Sequence, residues 1–224
     1  MNRRLCLLSA LLLFWRVHSA KEKASTMKQT TWELNTANNQ VGGHPAQVLG
    51  APKLIEIARG KAMEFDGEQD GIIIDANPLA GMERFTLEVI FRPDAGGLKE
   101  QRFVHLQEAG GENRILIETR LTGDNRWFLD TFIRSGETNQ TLYAEKFLHP
   151  VDEWYQAALV FDGREMRHYV NGIQEMSALI QYQPMKPGQI SLGVRLNHVF
   201  WFKGAIRRVR FTDGALSPAD FSKP

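Results

Sequence analysis

The segment Trp154–Gly172 constrains the fold more than any other part of the chain. Its first half, Trp154–Phe161, is a continuous apolar and aromatic run, typical of a strand that is buried on both faces. The pair Asp162-Gly163 follows, and a second strand-like run, Met166–Val170, ends at Asn171-Gly172. Such pairs between apolar runs are strong hairpin signals, because glycine adopts positive φ at little cost. The segment therefore predicts an antiparallel β-meander.

The rest of the chain shows more short strand-like segments separated by turn residues. In Phe85–Phe91, apolar residues alternate with mostly polar ones, which predicts a half-buried antiparallel strand that Pro93 stops. Asn35–Pro45 is rich in turn formers and is predicted to be a loop. The one helical signal is the final turn, where Ser217 precedes Pro218 as a predicted cap. Further strands are predicted at Thr30–Leu34, Ala62–Phe65, Ile72–Asp75, Phe103–Gln107, Ile115–Thr119, Arg126–Arg134, Gln140–Glu145, Gln189–Arg195 and Phe200–Phe211.

Four blocks of the sequence carry a family pattern in the same order along the chain. They are Phe65–Ile72, Phe85–Pro93, Trp154–Gly172 and Phe202–Phe211. Together they resemble the laminin G-like (LamG) domains of the concanavalin A-like lectin/glucanase superfamily, over about Trp32 to Phe221. The resemblance implies an all-β fold, an antiparallel jelly-roll β-sandwich with one short C-terminal helical turn, in a domain of residues 31–224.

The first 19 residues have the pattern of a secretory signal peptide. Arg3 and Arg4 precede the apolar run Leu5–Trp15, and small or aliphatic residues then lead to a predicted cleavage site before Ala20. The apolar run is too short for a stable membrane span. We therefore expect an exported protein, secreted or periplasmic, whose residues 20–30 form a flexible leader.

Removal of residues 1–19 changes the charge and the cysteine content. The formal net charge falls from +1 to −2, because the segment contains three arginines and no acid. A nearly neutral domain has no electrostatic reason to bind nucleic acid. The only cysteine, Cys6, is also lost, so the mature domain is predicted to rely on core burial without disulfides.

The acidic segment Glu64–Glu68 allows two interpretations. In glucanases of the same superfamily, an E-x-D-x-E pattern on one strand supplies a nucleophile, an assisting Asp and an acid/base. Here Gly67 is expected to end the strand before Glu68, and Phe65-Asp66-Gly67 matches the LamG turn instead. The favoured interpretation is a turn, with glycoside hydrolysis kept as an alternative.

Asp66 and Asp70 are also weak candidates for calcium ligands, since calcium binds clustered carboxylates and carbonyls. Relatives hold calcium with an acidic residue in a segment where this chain has Arg207 and Arg208, and cationic side chains repel the ion. The second interpretation is that Asp66 only stabilises its own turn. We therefore expect no cofactor.

The histidines do not form a metal-binding or catalytic motif in the sequence. His168 alternates with Met166 and Val170 in a predicted strand. We interpret it as an inward-facing histidine with a hydrogen-bond partner rather than a catalytic one.

Aromatic residues next to Arg and Asn are the candidates for ligand binding, because sugars stack on aromatic rings and hydrogen-bond to polar side chains. If Phe200 and Phe202 pack inward, Trp201 points outward near Arg195 and Asn197. Trp127 is the fourth candidate. The alternative is that both tryptophans fill the core or a junction between sheet and loop.

Taken with the resemblance, these features predict a non-catalytic recognition module whose partner is a glycan or polysaccharide. Two alternatives remain open from the sequence. The first is a module that binds another exported protein or the matrix, for which a large exposed apolar patch would be the sign. The second is a glycoside hydrolase, which needs Glu64 and Glu68 about 5 Å apart on one strand face.

Overall fold

A computed structural model describes residues 27–36 and 38–224. The predicted signal peptide and most of the predicted leader lie outside the described residues. The described part forms 17 strands: β1 (Gln29–Glu33), β2 (Gln40–Val41), β3 (His44–Leu49), β4 (Lys53–Ile57), β5 (Gly60–Asp66), β6 (Gly71–Ile74), β7 (Phe85–Pro93), β8 (Glu100–Glu108), β9 (Arg114–Leu121), β10 (Arg126–Ser135), β11 (Thr138–Tyr143), β12 (His149–Pro150), β13 (Tyr155–Phe161), β14 (Glu165–Val170), β15 (Ile173–Leu179), β16 (Gly188–Leu192) and β17 (Lys203–Asp213). One 3₁₀ turn, Pro218–Asp220, follows.

The strands form two antiparallel sheets that pack as a sandwich. The eight-stranded sheet has the order β15-β14-β13-β7-β17-β5-β4, with β1 pairing the second half of β17. The nine-stranded sheet has the order β11-β10-β9-β8-β16-β6-β3-β2, with β12 pairing the start of β10. The predicted all-β jelly-roll sandwich is confirmed. Within the described residues no helix is long and apolar enough to cross a lipid bilayer.

Aromatic side chains from both sheets fill the centre of the core. Phe91 of β7 stacks on Phe103 of β8 at 4.4 Å between ring centroids, and Trp127 of β10 meets Phe91 edge-on at 5.3 Å. All three side chains are completely buried. Offset and edge-on ring contacts of this kind add to the stabilisation that burial itself provides.

The predicted meander is confirmed as β13, β14 and β15. Every residue of β13 is buried, as the continuous apolar run predicts. The turn from β13 to β14 uses Gly163 at φ 100°, and the turn to β15 uses Asn171 at 49° and Gly172 at 80°. These left-handed conformations are the reason why Asn and Gly occupy the second turn.

Strand β7 differs from its prediction, because both of its faces are buried. Phe85, Leu87, Val89 and Phe91 face the main core. The other face is covered by the C-terminal segment, in which the N–H groups of Leu216 and Ser222 donate to Thr86 Oγ1 and Glu88 Oε1. The predicted alternation is thus correct, but a distant segment covers the face that the sequence assigned to solvent.

Two predicted boundaries and one predicted helix cap are corrected by the structure. Strand β1 begins at Gln29, so Gln29 and Thr30 belong to the sheet and not to a leader. Strands β2 and β3 lie partly within the predicted loop Asn35–Pro45. The side chain of Ser217 makes no backbone cap and instead donates to Asp220 Oδ2 at 2.8 Å.

Candidate functional site

Two neighbouring strands carry charged residues on their outer face. In β9 the core residues Ile115 and Ile117 alternate with Arg114, Leu116, Glu118 and Arg120. In β10 the core residues Leu129 and Ile133 alternate with Phe128, Asp130, Phe132 and Arg134. Because successive side chains of a strand point to opposite faces, each strand places its charges on the outside of the sandwich.

The register of β8–β11 aligns these outward residues in rows across the sheet. The rows are Glu100–Arg120–Phe128, Arg102–Glu118–Asp130–Tyr143, His105–Leu116–Phe132–Thr141 and Gln107–Arg114–Arg134–Asn139. Opposing residues in neighbouring strands are near enough to interact directly. We call this surface, together with Arg195 and Phe200 from the loop 193–202, the outer groove.

A network of ion pairs occupies the first two rows. Arg102 Nε donates to Glu118 Oε1 at 2.8 Å. Arg120 binds three carboxylates, with distances of 2.8 Å to Asp130, 3.2 Å to Glu118 and 2.6 Å to Glu100. Two guanidinium groups therefore share three carboxylates, so this end of the groove is slightly acidic.

Glu118 and Asp130 are buried, each about 2% exposed. Burial raises the pKa of Glu118 above its usual value, and the charge of Asp130 raises it further, against the opposing effect of Arg102. Burial likewise raises the pKa of Asp130, and Arg120 offsets only part of this. Asp130 Oδ1 is buried and accepts no hydrogen bond from any described residue.

The loop 193–202, between β16 and β17, is held tightly against the edge of the groove. Arg102 N donates to Phe200 O at 2.9 Å, and Leu196 N donates to His105 Nδ1 at 3.0 Å. The guanidinium of Arg102 lies 3.9 Å from the centre of the Phe200 ring. His198 and Phe200 both have φ of 61°, a left-handed conformation that is uncommon for such residues and that this loop maintains through its contacts.

The loop contributes Arg195 to the third and fourth rows of the groove. Arg195 lines a cavity of about 210 Å³ together with Arg102 and Arg114. Leu116 and Phe132, neighbours in the third row, supply apolar lining to the same cavity. Arg120, Glu118 and Asp130 line it too, so four arginines and two carboxylates meet around one small space.

Beneath these arginines His105 is 1% exposed. Burial lowers the pKa of His105 to about 3, and the charges of Arg195, Arg114 and Arg102 act in the same direction. Because its Nδ1 accepts a hydrogen bond, the neutral ring carries its proton on Nε2, which has no partner among the described residues.

Aromatic rings lie at the acidic end of the groove. Tyr143 is 42% exposed and meets Phe128 edge-on at 4.8 Å. The Arg120 guanidinium lies 5.6 Å from the Tyr143 ring centre. A second cavity, of about 510 Å³, is lined by Tyr143, Phe128 and Arg120, and Arg120 also lines the first cavity. The two cavities therefore adjoin at Arg120.

Of the four predicted ligand-binding residues, only Arg195 lines the groove. Asn197 is exposed at the tip of the loop. Trp201 is half-buried beside Gly71 of β6, where a Cβ would lie 3.4 Å from its ring. Trp127 is 0% exposed and packs against His149 and Tyr155 in the core, so its ring is closed to a ligand and the alternative interpretation, a core residue, is correct.

The position of Trp201 differs from the prediction for a local reason. The predicted strand Phe200–Phe211 begins only at Lys203, and Phe200 has a left-handed backbone. Phe202 packs inward as expected, whereas Phe200 is half-buried against Arg102. The simple alternation that was to place Trp201 beside Arg195 therefore does not apply.

The acidic segment forms the predicted turn. Strand β5 ends at Asp66, so Glu68 lies beyond it, and Glu64 pairs with Arg92 at 3.2 Å. The hydrolase alternative requires Glu64 and Glu68 on one strand face, and the end of β5 before Glu68 does not provide it.

Asp66 stabilises its own turn, as the second interpretation predicted. Its Oδ1 accepts from the N–H groups of Glu68, Gln69 and Asp70 at 2.9–3.0 Å. Burial raises the pKa of Asp66, but the backbone hydrogen bonds lower it by more, so the pKa is lowered overall. Asp70 accepts from Ala51 N and Asp66 N. In the described part of the chain, no three His, Cys, Asp or Glu side chains are grouped so that they could hold a metal ion.

His168 faces inward, as predicted, and is fully buried. Its Nδ1 lies 3.0 Å from Thr131 Oγ1, and its Nε2 lies 3.7 Å from Glu175 Oε2. Glu175 Oε1 is bonded to His149 Nε2 at 2.7 Å. This polar cluster is enclosed between the sheets and is separate from the outer groove.

Most of the groove residues were missed in the sequence. The available signal was the regular placement of Arg114, Glu118 and Arg120 in β9 and of Asp130 and Arg134 in β10, in strands that also supply apolar residues to the core. Contact between these side chains depends on the register of the strands, which cannot be read from the sequence.

Comparison with known protein families and sequences gives one match. A laminin G family model, described as the concanavalin A-like lectin/glucanases superfamily, matches residues 66–222. No curated protein sequence matches the chain.

Several solved structures are similar in fold. Domain 4 of AbnA, a GH43 extracellular arabinanase from Geobacillus stearothermophilus in complex with arabinotriose, has a TM-score of 0.68 at 18% identity, with 86% of this chain and 96% of that chain covered. The binding domain of botulinum neurotoxin DC in complex with SialylT has a TM-score of 0.61 at 14% identity, with 86% of this chain and 49% of that chain covered. A heptameric SAP-like pentraxin from Limulus polyphemus has a TM-score of 0.55 at 15% identity, with 69% of this chain and 76% of that chain covered. At these identities the likeness shows the fold alone.

Proposed function

The chain belongs to the concanavalin A-like lectin/glucanase superfamily, and from that premise we propose that it is a glycan-binding module without catalytic activity of its own. The observation that carries the proposal is the outer groove, where the exposed ring of Tyr143 lies beside charged hydrogen-bonding groups of Arg120. A sugar ring stacks its apolar face on such a ring and directs its hydroxyl groups to the charged side chains. Arg195 and Asn197 are proposed to add hydrogen bonds from the loop.

Similar folds support the ligand class. The arabinanase domain was solved in complex with arabinotriose, and the neurotoxin domain in complex with SialylT. This chain matches 96% of the arabinanase domain but only 49% of the neurotoxin domain, and the fold alone does not fix a function.

The side chains of the groove favour binding over hydrolysis. Glycoside hydrolysis needs two carboxyl groups that are free to act on the substrate. Here both oxygens of Glu118 accept from arginines, and Asp130 Oδ2 accepts from Arg120. Carboxylates occupied in this way serve the structure of the groove.

The proposal is tested by a glycan-array screen of the labelled full chain beside two variants. Tyr143→Ala removes the proposed stacking ring, and Phe147→Ala removes an aromatic ring of similar exposure, 40%, that lines neither cavity. We expect glycan binding that is lost in Tyr143→Ala and kept in Phe147→Ala. Absence of binding across the array would overturn the proposal and favour a protein partner, and release of shortened sugars from a bound glycan would favour the hydrolase alternative.

We also propose that the protein is exported, on the basis of the signal pattern in residues 1–19. Expression of the full chain in a secreting host, followed by N-terminal sequencing of the exported product, tests this. A product that begins at Ala20 is expected, and retention of an uncut chain inside the cell would contradict it.

A further inference from the structure

The positive charges of the outer groove are unevenly compensated. Arg102 and Arg120 bind the buried carboxylates described above. Among the described residues, Arg114 forms an ion pair only with Glu112, at 3.4 Å, and the Glu112 side chain is 69% exposed. Glu112 is also shared with Arg134 at 3.1 Å. Arg195 forms no ion pair with any residue in the ranges 27–36 and 38–224. We call the part of the groove around Arg114 and Arg195 the cationic end.

The guanidinium groups of the cationic end are close enough to repel one another. Burial lowers the pKa of Arg114, and the charge of Arg195 lowers it further. Burial lowers the pKa of Arg195 as well, and Arg102 adds to the effect, whereas the charges of Glu118 and Glu112 offset only part of it. Nε of Arg114 and Nε of Arg195 are both buried, and neither donates to a described residue. Arginines in one cavity whose charges are only partly compensated are unfavourable unless an anion joins them.

The buried His105 adds no negative charge to the cationic end. His105 is neutral and offers a buried Nε2–H, a donor without a described partner, below the arginines that repel its protonation. Arg114 and Arg195, which both line the small cavity, thus each have a buried Nε–H without an acceptor among the described residues. The two carboxylates of the same cavity, Glu118 and Asp130, are bound by Arg102 and Arg120.

The loop that carries Arg195 is fixed before any ligand arrives. Ser191 Oγ donates to Val194 O at 2.6 Å, Arg195 N donates to Val199 O, and the neighbouring Leu196 N is bound to His105. The left-handed residues His198 and Phe200 hold the rest of the loop against Arg102. A site that is pre-organised in this way loses little conformational freedom on binding.

We propose that the cationic end binds an anionic substituent, a carboxylate or a sulfate, carried by the glycan that occupies the outer groove. The inference rests on the proposed glycan-binding function and names the class of glycan, an acidic one. Arg114 and Arg195 present their N–H groups to one anion, and arginine binds planar carboxylate and sulfate-type oxygens with paired hydrogen bonds. Tyr143, at the other end of the groove, stacks on a sugar ring of the same chain.

The test uses the full chain on an array that carries neutral, carboxylated and sulfated glycans. The strongest ligand is then titrated by calorimetry beside its own neutral counterpart, prepared by carboxyl reduction or by desulfation. Arg195→Gln and Arg114→Gln remove one charge each, and Arg84→Gln, an exposed arginine outside the groove, is the matched control. Thermal unfolding of each variant is measured in the same buffer.

We expect the acidic glycan to bind at least about tenfold more tightly than its neutral counterpart, as each charged hydrogen-bonded pair in the groove favours the anion. Arg195→Gln and Arg114→Gln should each remove most of this preference, whereas Arg84→Gln should keep it. Carboxyl reduction and desulfation distinguish the two anions, since only the treatment that removes the bound group weakens binding. Neither groove variant should unfold at a lower temperature, because each removes a repulsion, whereas a purely structural arginine would lower it.

Binding of neutral and acidic glycans with equal affinity would overturn the inference and leave the proposed function standing. A preference for the acidic glycan that survives in both groove variants would also overturn it. Absence of binding to every glycan would overturn the inference together with the proposed function.

Discussion

Glu118 and Asp130 lie directly opposite each other on β9 and β10, and both carboxylates bind the same guanidinium, that of Arg120. The arrangement places two buried like charges side by side on the outer face of a sheet. It is tolerated because Arg120 and Arg102 provide the compensating charge and most of the hydrogen bonds. The groove is therefore organised around its arginines.

The substitution Arg120→Met is expected to destabilise the protein by about 3–5 kcal/mol, because it leaves two buried carboxylates without their shared cation. Urea denaturation of the variant and the wild type measures the change. Arg126→Met is the control, since Arg126 pairs with Asp124 on the exposed surface and should contribute little. Equal losses in the two variants would show that the groove network does not stabilise the fold.

His105 is expected to make the protein less stable as the pH falls below 6.5. Burial lowers the pKa of its ring from 6.5, the ordinary histidine value, to about 3 in the folded protein, so the unfolded chain binds the proton more readily between these values. The free energy of unfolding should fall by up to about 1.4 kcal/mol for each pH unit in that range.

The variant His105→Asn tests this dependence, because it retains an acceptor for Leu196 N and has no ring to protonate. Urea denaturation between pH 4 and pH 7 should show a smaller slope than in the wild type. The unfolding free energy of the variant should still fall with pH because of His168, since burial lowers the pKa of that ring to about 3 as well. The same slope in variant and wild type would contradict the role of His105.

Gly42 and Gly43 should differ sharply in their tolerance of alanine. Both have positive φ, 59° and 83°, so both substitutions cost backbone strain. A Cβ on Gly42 would overlap the ring of the buried Trp32 at Nε1, whereas a Cβ on Gly43 has open space. Gly42→Ala is therefore expected to lower the free energy of unfolding by roughly 2 kcal/mol more than Gly43→Ala. Thermal and urea unfolding of both variants measure this difference. Similar losses of unfolding free energy in the two variants would contradict the close contact of Gly42 with Trp32.

Trp127→Ala is expected to act on stability, with a loss of about 3–5 kcal/mol, because it empties a volume at the centre of the core. Trp201→Ala removes a half-buried ring beside Gly71 and should cost clearly less. Denaturation curves of the two variants compare these losses. A small loss for Trp127→Ala would contradict its place in the core.

The fold was predictable because its signals are local. The turn pairs Asp162-Gly163 and Asn171-Gly172 and the continuous run of β13 predict the meander directly. Two features required more than local sequence. The burial of the second face of β7 depends on the C-terminal segment, where Leu216 binds Thr86 across a separation of 130 residues. The position of Trp201 depends on the left-handed backbone of Phe200, which interrupts the alternation that the prediction assumed.

Of the residues in the proposed binding groove, the sequence analysis named only Arg195. Apart from Phe200 in the loop, the other groove residues are ordinary outward residues of β8–β11. They form a groove because the register places Arg102, Glu118 and Asp130 in one row. A strand pattern reveals that a residue faces outward, but the identity of its neighbours on the next strand is a property of the folded sheet.

The central claim is that the outer groove binds a glycan through the ring of Tyr143. The most direct measurement is a calorimetric titration of the best array ligand into the wild type, Tyr143→Ala and Phe147→Ala. The account predicts that affinity falls at least about tenfold in Tyr143→Ala, the loss expected when a stacking ring is removed, and is unchanged in Phe147→Ala, with both variants folded. Unchanged affinity in Tyr143→Ala would contradict it and place the glycan elsewhere on the molecule.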